Sequence, residues 1–416
     1  MKKVIDDRKQ ASQCRSVIEV LQKILPAVLE EKRPADRVLA DIIRKAKGKW
    51  GSRDRRLISE SVFAVFRWYG VIKEPVPESW EEFLCRAWIL EKHFGSTPYI
   101  PEAIQALKKR INFSFVCPES LQEIAGKCIP DWVVDKLPEN MDIAEYVTIL
   151  QRRPPVWMRA KENNSNALIR ALAAEGVEAV AGSLPGAVYA RPSGVNLYTV
   201  NAFRNGLFEI QDLASQAIGA AAAPVPGERW WDACAGAGGK TLLLAEAMKR
   251  RGTVVASDIR AWKLEDLRKR ARRGGFPNIE TREFEPALDR ARRRGGFDGV
   301  LIDAPCSCSG VWRRNPDGKW SLTPEEVHEL AGIQADLLQK TAQAVKKGGV
   351  LVYATCSIFP EENENTVNNF LAGNNEFELA AFPNPLTGEM TSGMMRFEAS
   401  AGDCDWMFAC RMRRKK

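Results

Sequence analysis

The regular Cys-x-x-Cys spacing of common metal sites is absent from this 416-residue sequence, and histidine is nearly absent. Only His93 and His328 occur, and the ten cysteines form no Cys-x-x-Cys pair. Structural zinc sites and disulfide frameworks are recognised by such regular spacings, so the sequence disfavours both. We therefore expect no bound metal and reduced thiols, as in a cytoplasmic protein.

The sequence also lacks a long hydrophobic run. Nowhere do about 18 uncharged apolar residues follow one another, as a membrane-spanning helix would require. The first eight residues carry two aspartates and no continuous apolar stretch, which is unlike a signal peptide. We therefore predict a cytoplasmic, monomeric protein without a membrane-bound segment.

Apolar residues make up 45% of the chain, enough for the cores of two or three domains, and the net charge is +8. Basic residues are concentrated in three clusters. Two interpretations of them stay open: solvated helix faces with a disordered tail, or a surface for a polyanionic partner. The clusters lie within residues 268–273, 290–294 and 411–416.

Helical periodicity dominates the first third of the chain. Apolar residues recur at helical spacing from Val17 to Leu29 and again from Leu57 to Phe66. No strand-like alternation stands out before Arg152-Arg-Pro-Pro, where we expect a domain boundary. The pattern predicts an all-helical domain over residues 1–150.

A short mixed segment follows this boundary. Val156–Ala160 is predicted as a strand, Asn166–Glu175 as a helix and Leu197–Val200 as another strand. Proline, glycine and serine separate these runs. We predict a small α/β segment over residues 151–205.

From Pro224 onward, strand-like and helix-like runs alternate. This order is typical of a parallel, doubly wound α/β sheet. The predicted strands are 229–234, 253–257, 298–302 and 349–354, and the predicted helices are 241–250, 263–273 and 324–345.

A glycine-rich run, Asp232-Ala-Cys-Ala-Gly-Ala-Gly-Gly-Lys-Thr, follows the first of these strands and opens a helix. Glycines there let a ligand approach the backbone, and the helix amino terminus offers unpaired N–H groups. A phosphate-binding P-loop would need glycine where Cys234 stands, so that pattern fails. A nucleoside-cofactor loop needs an acidic residue at the end of the next strand, and Asp258 meets this requirement.

Two cysteines, Cys306 and Cys356, each follow a short apolar run that is typical of a buried parallel strand. The carboxyl ends of such strands form the ligand sites of open α/β sheets, and Asp303 ends the first of these two strands. A single thiol there is more often core packing than chemistry. A pair of thiols beside a cofactor loop favours thiol chemistry on a bound substrate.

Methylation of cytosine at carbon 5 is a reaction that uses such a set of groups. A thiolate that adds to carbon 6 makes carbon 5 nucleophilic, and an acid offsets the charge that develops at N3. The carbon-5 proton is then lost and the thiol is expelled. Asp303 is a candidate for the acid, whereas position alone does not decide which of Cys306 and Cys356 attacks.

Three ordered motifs resemble those of the RNA 5-methylcytosine methyltransferases of the RsmB/Sun type, which use S-adenosylmethionine. They are residues 232–241, 297–310 and 348–364. The resemblance implies a Rossmann-like class I methyltransferase domain over residues 206–416. It also implies a NusB-like RNA-binding domain over the predicted helical region and an RRM-like extension over the mixed segment. The implied substrate is RNA, ribosomal RNA above all.

The resemblance also implies residue roles. Cys356 would attack the base, Cys306 would assist product release, and Asp303 would lie at the cytosine ring near the methionine end of the cofactor. Asp258 would hold S-adenosylmethionine, and Glu285, with Glu283 as its rival, would be a further acidic contact where the family usually has aspartate. The cofactor loop would consist of Cys234, Ala235, Gly236, Ala237, Gly238, Gly239 and Lys240.

Two short runs depart from the family pattern. Gly236-Ala237 replaces the usual Ala-Pro, and Cys308-Ser309-Gly310 replaces the common Gly-Thr-Gly. Cys308 thereby adds a third thiol near the expected site, without an assigned role. Two alternatives stay open: a DNA cytosine-5 methyltransferase in which Cys306 attacks, and a non-catalytic RNA-binding or assembly factor.

Overall fold

The computed structural model describes residues 7–95, 107–108, 111, 115–139, 141–192 and 195–416. Residues 1–6, which begin the segment judged unlike a signal peptide, lie outside the described residues. The chain divides into two compact units, Met1–Arg153 with Val311–Pro324, and Pro154–Gly310 with Glu325–Lys416. The three-domain division drawn from the sequence stays a prediction.

The first unit is helical over its described residues, as the periodicity predicts. Leu21, Phe66 and Trp88 are among the fully buried side chains of its core. A buried carboxylate, Glu91, accepts hydrogen bonds from Arg67 Nη1 at 2.6 Å and from an indole N–H at 2.9 Å, so its charge is compensated. The helices span Asp7–Leu29, Ala35–Lys45, Ser52–Ile72, Trp80–Phe94, Asp131–Val134 and Ile143–Leu150, with a 3-10 helix at Gln122–Lys127.

A segment distant in sequence, Val311–Pro324, belongs to this helical unit. Its short helix Gly318–Ser321 carries Lys319, which is buried and donates to the carbonyl oxygens of Arg67 at 3.0 Å and Cys128 at 2.7 Å. The neighbouring indole of Trp320 donates to a helix carbonyl at 2.6 Å. Burial lowers the pKa of Lys319 to about 7, because the two carbonyls only partly replace the lost hydration of the ammonium group.

The second unit begins with a small antiparallel sheet. Its strands are β1 (Val156–Ala160), β2 (Ala179–Ala181), β3 (Ala187–Ala190) and β4 (Phe208–Ile210), in the order β2-β3-β1-β4. A helix, Ser165–Ala174, and a 3-10 helix, Lys161–Asn163, follow β1. The predicted strand at β1 and the predicted helix after it are confirmed.

The predicted strand over Leu197–Val200 is wrong. Residues Leu197–Thr199 form a 3-10 helix instead. The side-chain oxygen of Asn196 accepts a hydrogen bond from the Tyr198 N–H at 3.0 Å. The backbone carbonyl oxygen of Asn196 accepts one from the Thr199 hydroxyl at 2.7 Å. An asparagine that bonds the backbone two residues on closes a turn, and this turn overrides the strand preference of the residues that follow.

A larger sheet forms the rest of the second unit. Its strands are β5 (Arg229–Asp232), β6 (Thr253–Ser257), β7 (Ile279–Arg282), β8 (Phe297–Asp303), β9 (Val345–Thr355), β10 (Phe377–Leu379), β11 (Met394–Phe397) and β12 (Met407–Arg414). The order is β10-β12-β9-β8-β5-β6-β7, with β11 on β12. Strands β5 to β9 pair in parallel, and β12 joins β9 in the antiparallel sense. The helices are Asn201–Arg204, Leu213–Ala222, Gly239–Ala247, Ala261–Gly274, Phe284–Arg293, Pro324–Ala342 and Glu364–Gly373.

Alternating side chains of the central strands supply two separate cores. Trp231 packs in one core with Ala287 and Leu338 from the helices, whereas Trp230 packs in another with Ala217 and Leu244. Because successive strand residues point to opposite faces, both faces of the sheet are covered, as a parallel sheet requires. The predicted doubly wound α/β architecture is confirmed.

Several element boundaries differ from those expected, two of them substantially. The helix predicted to end at Val345 ends at Ala342, and Val345 opens β9. The interpretation of residues 411–416 as a disordered tail is wrong, because β12 extends to Arg414 and its residues Phe408–Arg413 pair with β9. Alternate side chains of β12, among them Cys410 and Met412, are fully buried and anchor the strand in the core.

Among the described residues, no helix combines the length and the apolarity that crossing a membrane requires.

Candidate functional site

Strands β8 and β9 bring Cys306 and Cys356 together at one edge of the sheet. They are parallel neighbours, with Asp303 opposite Ala354, so their carboxyl ends coincide. Each cysteine lies in the loop just beyond its strand, and the two sulfur atoms are 3.3 Å apart. Both cysteine residues are intermediate between buried and exposed. The predicted proximity of the two thiols is therefore confirmed.

Cys308 is the third thiol at this edge. Its sulfur and those of Cys306 and Cys356 all lie within 4.8 Å of one another. The three thiols share protons: hydrogen bonds from the other two lower the pKa of Cys308 well below its usual value. The hydrogen bond with Cys308 raises the pKa of Cys306, and bonds with both neighbours raise that of Cys356.

A buried cation, Lys240, lies beside the thiols. Its Nζ donates to Asp303 Oδ2 at 2.7 Å, and the side chains are 7% and 34% exposed, respectively. Burial alone would lower the pKa of Lys240, but the charge and hydrogen bond of Asp303 and the nearby Cys356 raise it overall. The ammonium therefore stays charged, and it can stabilise negative charge on Cys356 or on a ligand held there.

The glycine-rich loop connects β5 to the helix Gly239–Ala247. Gly236 and Gly238 have φ values of +53° and +90°, which favour glycine, and a Cβ at Gly238 would lie 2.6 Å from Leu267 Cγ. No atom lies within 4 Å of the Cβ position of Gly236, so the space above that residue is open. The loop thus leaves its backbone accessible at the carboxyl edge of the sheet.

Asp258 lies at the end of β6 and holds this loop. Its Oδ2 accepts the Gly236 N–H at 2.9 Å, and its carboxylate also accepts from the backbone and guanidinium of Arg260. Burial acts against ionisation, but the Arg260 and Gly236 bonds lower the pKa of Asp258 overall. Because the Arg260 side chain is 53% exposed, it can yield its place on the carboxylate to the hydroxyls of a ribose.

Asp232 begins the same loop and is completely buried. Its Oδ2 accepts the Thr241 hydroxyl at 2.6 Å, whereas Oδ1 has no hydrogen-bond partner. Burial raises the pKa of Asp232 to about 7. A carboxyl oxygen without a partner, beside an open glycine-rich loop, is consistent with a polar ligand at this edge. When no ligand is bound, protonation of the carboxyl group reduces the free-energy cost of burying it.

A buried acid that the sequence did not single out, Glu362, joins the two cysteine loops. Its carboxylate accepts the backbone N–H of Ser307 at 2.9 Å and the Ser307 hydroxyl at 2.5 Å. It also accepts the hydroxyl of Ser357 and, at 2.9 Å, the side-chain amide of Gln334. Burial, with the neighbouring Cys306, raises the pKa of Glu362 to about 7.

Further hydrogen bonds fix the loops to each other. Gln334 Nε2 also donates to the Pro305 carbonyl at 2.9 Å, and the Gly310 N–H donates to the Cys356 carbonyl at 2.9 Å. A Cβ on Gly310 would lie 2.0 Å from the carbonyl oxygen of Trp406. These contacts leave little freedom in how the thiols are presented. The signal in the sequence was the Pro-Glu-Glu-Asn-Glu run after Cys356, which does not indicate which acid is buried.

The two candidates for a further acidic contact follow β7. Glu283 is exposed and precedes the helix Phe284–Arg293, whereas Glu285 is exposed in its first turn. The choice between them stays open.

Part of the basic clusters has a structural role. Arg270 and Arg273 both bind the carboxylate of Glu209, and Arg290 pairs with Glu280 at 2.7 Å. Arg270 also donates to the Ala237 carbonyl at 2.8 Å, which supports the glycine-rich loop. These arginines bind the protein itself and are not free for a polyanionic partner.

Comparisons with known proteins bear on the family that the chain resembles. Residues 220–413 match a family model described as 16S rRNA methyltransferase RsmB/F. A relative from Bacillus subtilis (strain 168), named probable ribosomal RNA small subunit methyltransferase B, is 32% identical over 302 residues, which cover 69% of this chain and 66% of that protein. A relative from Klebsiella pneumoniae (strain 342), named ribosomal RNA small subunit methyltransferase B, is 34% identical over 272 residues, 62% of this chain and 61% of that protein. The chain thus spans less than two thirds of either relative.

Solved structures support the fold. A crystal structure of a protein called PH0851 is similar over 100% of both chains, with a TM-score of 0.74 and 23% identity. NSun6 from Pyrococcus horikoshii, solved with SFG, is similar over 72% of this chain and 98% of its own, with a TM-score of 0.56 and 18% identity. The resemblance predicted from the three motifs is therefore confirmed: residues 220–413 match the 16S rRNA methyltransferase RsmB/F model, and the chain is similar to proteins named ribosomal RNA small subunit methyltransferase B.

Proposed function

We propose that the chain transfers a methyl group from S-adenosylmethionine to carbon 5 of cytosine in RNA, ribosomal RNA above all. The observation that carries this proposal is the pair of thiols, 3.3 Å apart, at the ends of adjacent parallel strands. The buried Lys240–Asp303 ion pair beside them adds the charged groups that an addition to a pyrimidine ring needs.

The cofactor is proposed to bind along the carboxyl edge of β5 and β6. The loop from Cys234 to Lys240 would lie against it, with open space above Gly236. Asp258 is a buried, ionised carboxylate suited to ribose hydroxyls. When bound, S-adenosylmethionine supplies an electrophilic methyl group attached to a positively charged sulfur.

Cys356 is proposed as the attacking group. Its thiolate would add to carbon 6 of the cytosine, and the charged Lys240 would favour that thiolate. Asp303, which is 34% exposed, would bond the ring, and Lys240 would offset the charge that develops there. After carbon 5 is methylated, Cys306 would assist release: in its thiolate form it would receive the carbon-5 proton, and the carbon–sulfur bond would break with its electron pair returning to Cys356.

RNA is proposed as the substrate because the similar proteins from Bacillus subtilis and Klebsiella pneumoniae carry ribosomal RNA small subunit methyltransferase names. A base must leave its stack to reach the two thiols. The proposed target is therefore a cytosine in a loop or in partly assembled RNA rather than in an intact duplex.

Two single substitutions test the roles. With RNA and S-adenosylmethionine, Cys306→Ala should accumulate a covalent protein–RNA adduct that is visible on a denaturing gel, because the release step is impaired. Cys356→Ala should form no adduct and transfer no methyl group. Cys117→Ser, which changes a thiol outside the site, is the matched control and should behave as the unmodified protein does.

The result that would reverse the roles is an adduct with Cys356→Ala and none with Cys306→Ala, since Cys306 would then be the attacker, as in a DNA cytosine-5 methyltransferase. Methyl transfer to RNA and to DNA of the same sequence should be compared directly. Absence of S-adenosylmethionine binding by calorimetry would instead favour a non-catalytic RNA-binding factor.

A further inference from the structure

The three thiols at the carboxyl edge of β8 and β9 form a cluster that the spacing of cysteines in the sequence did not predict. Cys306, Cys308 and Cys356 present sulfur atoms that all lie within 4.8 Å of one another. Cys308 is exposed and the other two are part-exposed, so an ion can reach the cluster from solvent. Cys306 and Cys308 lie on the loop after β8 and Cys356 lies on the loop after β9. Because the ligands come from two loops, the sequence contains no Cys-x-x-Cys motif that would indicate the cluster.

Cys308 is held in an unfavourable backbone conformation. Its φ is +57°, in the left-handed region that favours glycine. This turn directs the Cys308 sulfur back toward its own loop, 3.5 Å from the Cys306 carbonyl oxygen. A strained residue that completes a cluster of three like ligands indicates a use for its side chain.

The spacing of the sulfur atoms suits a thiophilic ion. Zinc binds cysteine sulfur at about 2.3 Å in tetrahedral geometry, which places two sulfur ligands of one ion about 3.8 Å apart. The separations here, from 3.3 Å between Cys306 and Cys356 to at most 4.8 Å within the cluster, bracket this value. Small rotations about the Cα–Cβ bonds can therefore bring all three sulfur atoms into contact with one ion.

The charges around the cluster are compatible with a cation. The carboxylates of Asp303 and Glu362 act on Cys308 from the same edge of the sheet. Lys240 and Arg260 supply the opposing positive charges. Once the three thiols are deprotonated, their charge together with that of Asp303 exceeds the charge of the two cations, so a divalent ion would lower the net negative charge of the site.

We propose that Cys306, Cys308 and Cys356 together bind one Zn²⁺ ion, with the fourth tetrahedral position left to water or a small ligand. Binding releases to solvent the protons that remain on the three sulfur atoms and forms three sulfur–zinc bonds, with no change of oxidation state. The bound ion occupies both thiols of the proposed reaction, so zinc acts as a reversible inhibitor that chelation removes. The site itself does not depend on the proposed function, whereas the inhibition rests on it.

Direct metal binding tests the site in the absence of RNA and cofactor. The reduced full-length chain is titrated with Co²⁺, a spectroscopic substitute for zinc, and then with Zn²⁺ in competition. We expect one equivalent of Co²⁺ to give thiolate charge-transfer absorption and tetrahedral visible bands, which Zn²⁺ abolishes. Cys308→Ser should weaken binding by on the order of 100-fold, because a neutral hydroxyl replaces one of three anionic ligands.

Two further variants keep the binding test decisive. Cys308→Gly removes the thiol and also relieves the left-handed backbone, so it should fold at least as well as the unmodified chain and yet lose the tetrahedral signal. Cys117→Ser should retain the full signal. Equal affinity in Cys308→Gly and the unmodified chain, or visible bands of an octahedral ion without thiolate absorption, would overturn the proposal.

An activity measurement separates this proposal from the proposed function. Methyl transfer by the unmodified chain should fall with added Zn²⁺ and return with a chelator, whereas Cys308→Gly should need on the order of 100-fold more Zn²⁺ for the same fractional loss. Tetrahedral metal binding without any methyl transfer would refute only the proposed function. Methyl transfer by a chain that gives no thiolate absorption with Co²⁺ would refute only the zinc site.

Discussion

Replacing Glu362 by glutamine should change how the stability of the chain depends on pH. Burial raises the pKa of Glu362 from the unfolded value of 4.5 to about 7. The folded chain therefore binds more protons than the unfolded chain between these values, and stability falls as the pH rises through this window. Glutamine keeps the shape of the side chain and cannot ionise, so its variant lacks this loss.

The magnitude follows from the two pKa values. Between pH 5 and pH 8, ionisation of this one group should cost the folded state about 2.5 kcal/mol. The free energy of unfolding of Glu362→Gln minus that of the unmodified chain should thus increase by about 2.5 kcal/mol over the same interval, which means that the variant gains relative stability as the pH rises. At pH 5 the variant should be the less stable by about 1 kcal/mol, because its NH₂ group replaces the oxygen that accepts the Ser307 and Ser357 hydroxyls.

Urea unfolding at a series of pH values measures this difference, and every other titrating group cancels between the two proteins. Glu389→Gln, which changes an exposed carboxylate, is the matched control and should give a pH-independent difference. A difference between Glu362→Gln and the unmodified chain that is equally flat would refute the claim that Glu362 is protonated in the folded protein near neutral pH.

Three other changes have defined outcomes. Gly310→Ala places a Cβ 2.0 Å from a backbone carbonyl oxygen, so it should lower the urea midpoint by an amount equivalent to about 2–4 kcal/mol. The control Gly332→Ala lies at an exposed helix position with open space and should raise the midpoint slightly. Lys240→Met removes the cation beside the thiols, so alkylation of Cys356 by iodoacetamide at fixed pH should slow about tenfold, and an unchanged rate would contradict the assigned electrostatic role. The folded pKa of Lys319, about 7, lies below its unfolded value of 10.5, so the unfolded chain binds more protons and stability should rise by about 2 kcal/mol from pH 7 to 9. In Lys319→Met this rise should disappear from the urea unfolding curves, and its persistence would show that another group titrates.

Features that depend on chain order were predictable from the sequence. Alternating strands and helices predict a parallel sheet, and parallel strands bring their carboxyl ends to one edge. Once their strands were identified, the sequence therefore predicted that the site groups lie close together. These groups are Cys306, Cys356, Asp303 and the glycine-rich loop. The exceptions in the fold arose where a side chain overrode a local preference, as Asn196 does when it closes a turn ahead of residues that favour a strand.

Features that depend on burial were not predictable in the same way. Glu361, Glu362 and Glu364 are close together in one run, and only packing makes Glu362 the acid that is fully buried beneath both cysteine loops. The last strand carries basic residues that resemble a solvated tail, yet alternate apolar residues anchor it beside β9. The third thiol, Cys308, joins its neighbours through a left-handed turn that the sequence does not indicate.

The membership of Val311–Pro324 in the helical unit has a topological consequence. The chain passes from one unit to the other at Arg153–Pro154, at Gly310–Val311 and again at Pro324–Glu325. A single proteolytic cut at any one of these junctions leaves the two units covalently joined. A fragment that begins after the helical region would carry Trp320 and Lys319 into solution without the carbonyl groups that they bind. Separate expression of the second unit therefore calls for replacing the Val311–Pro324 segment, not merely for choosing a later starting residue.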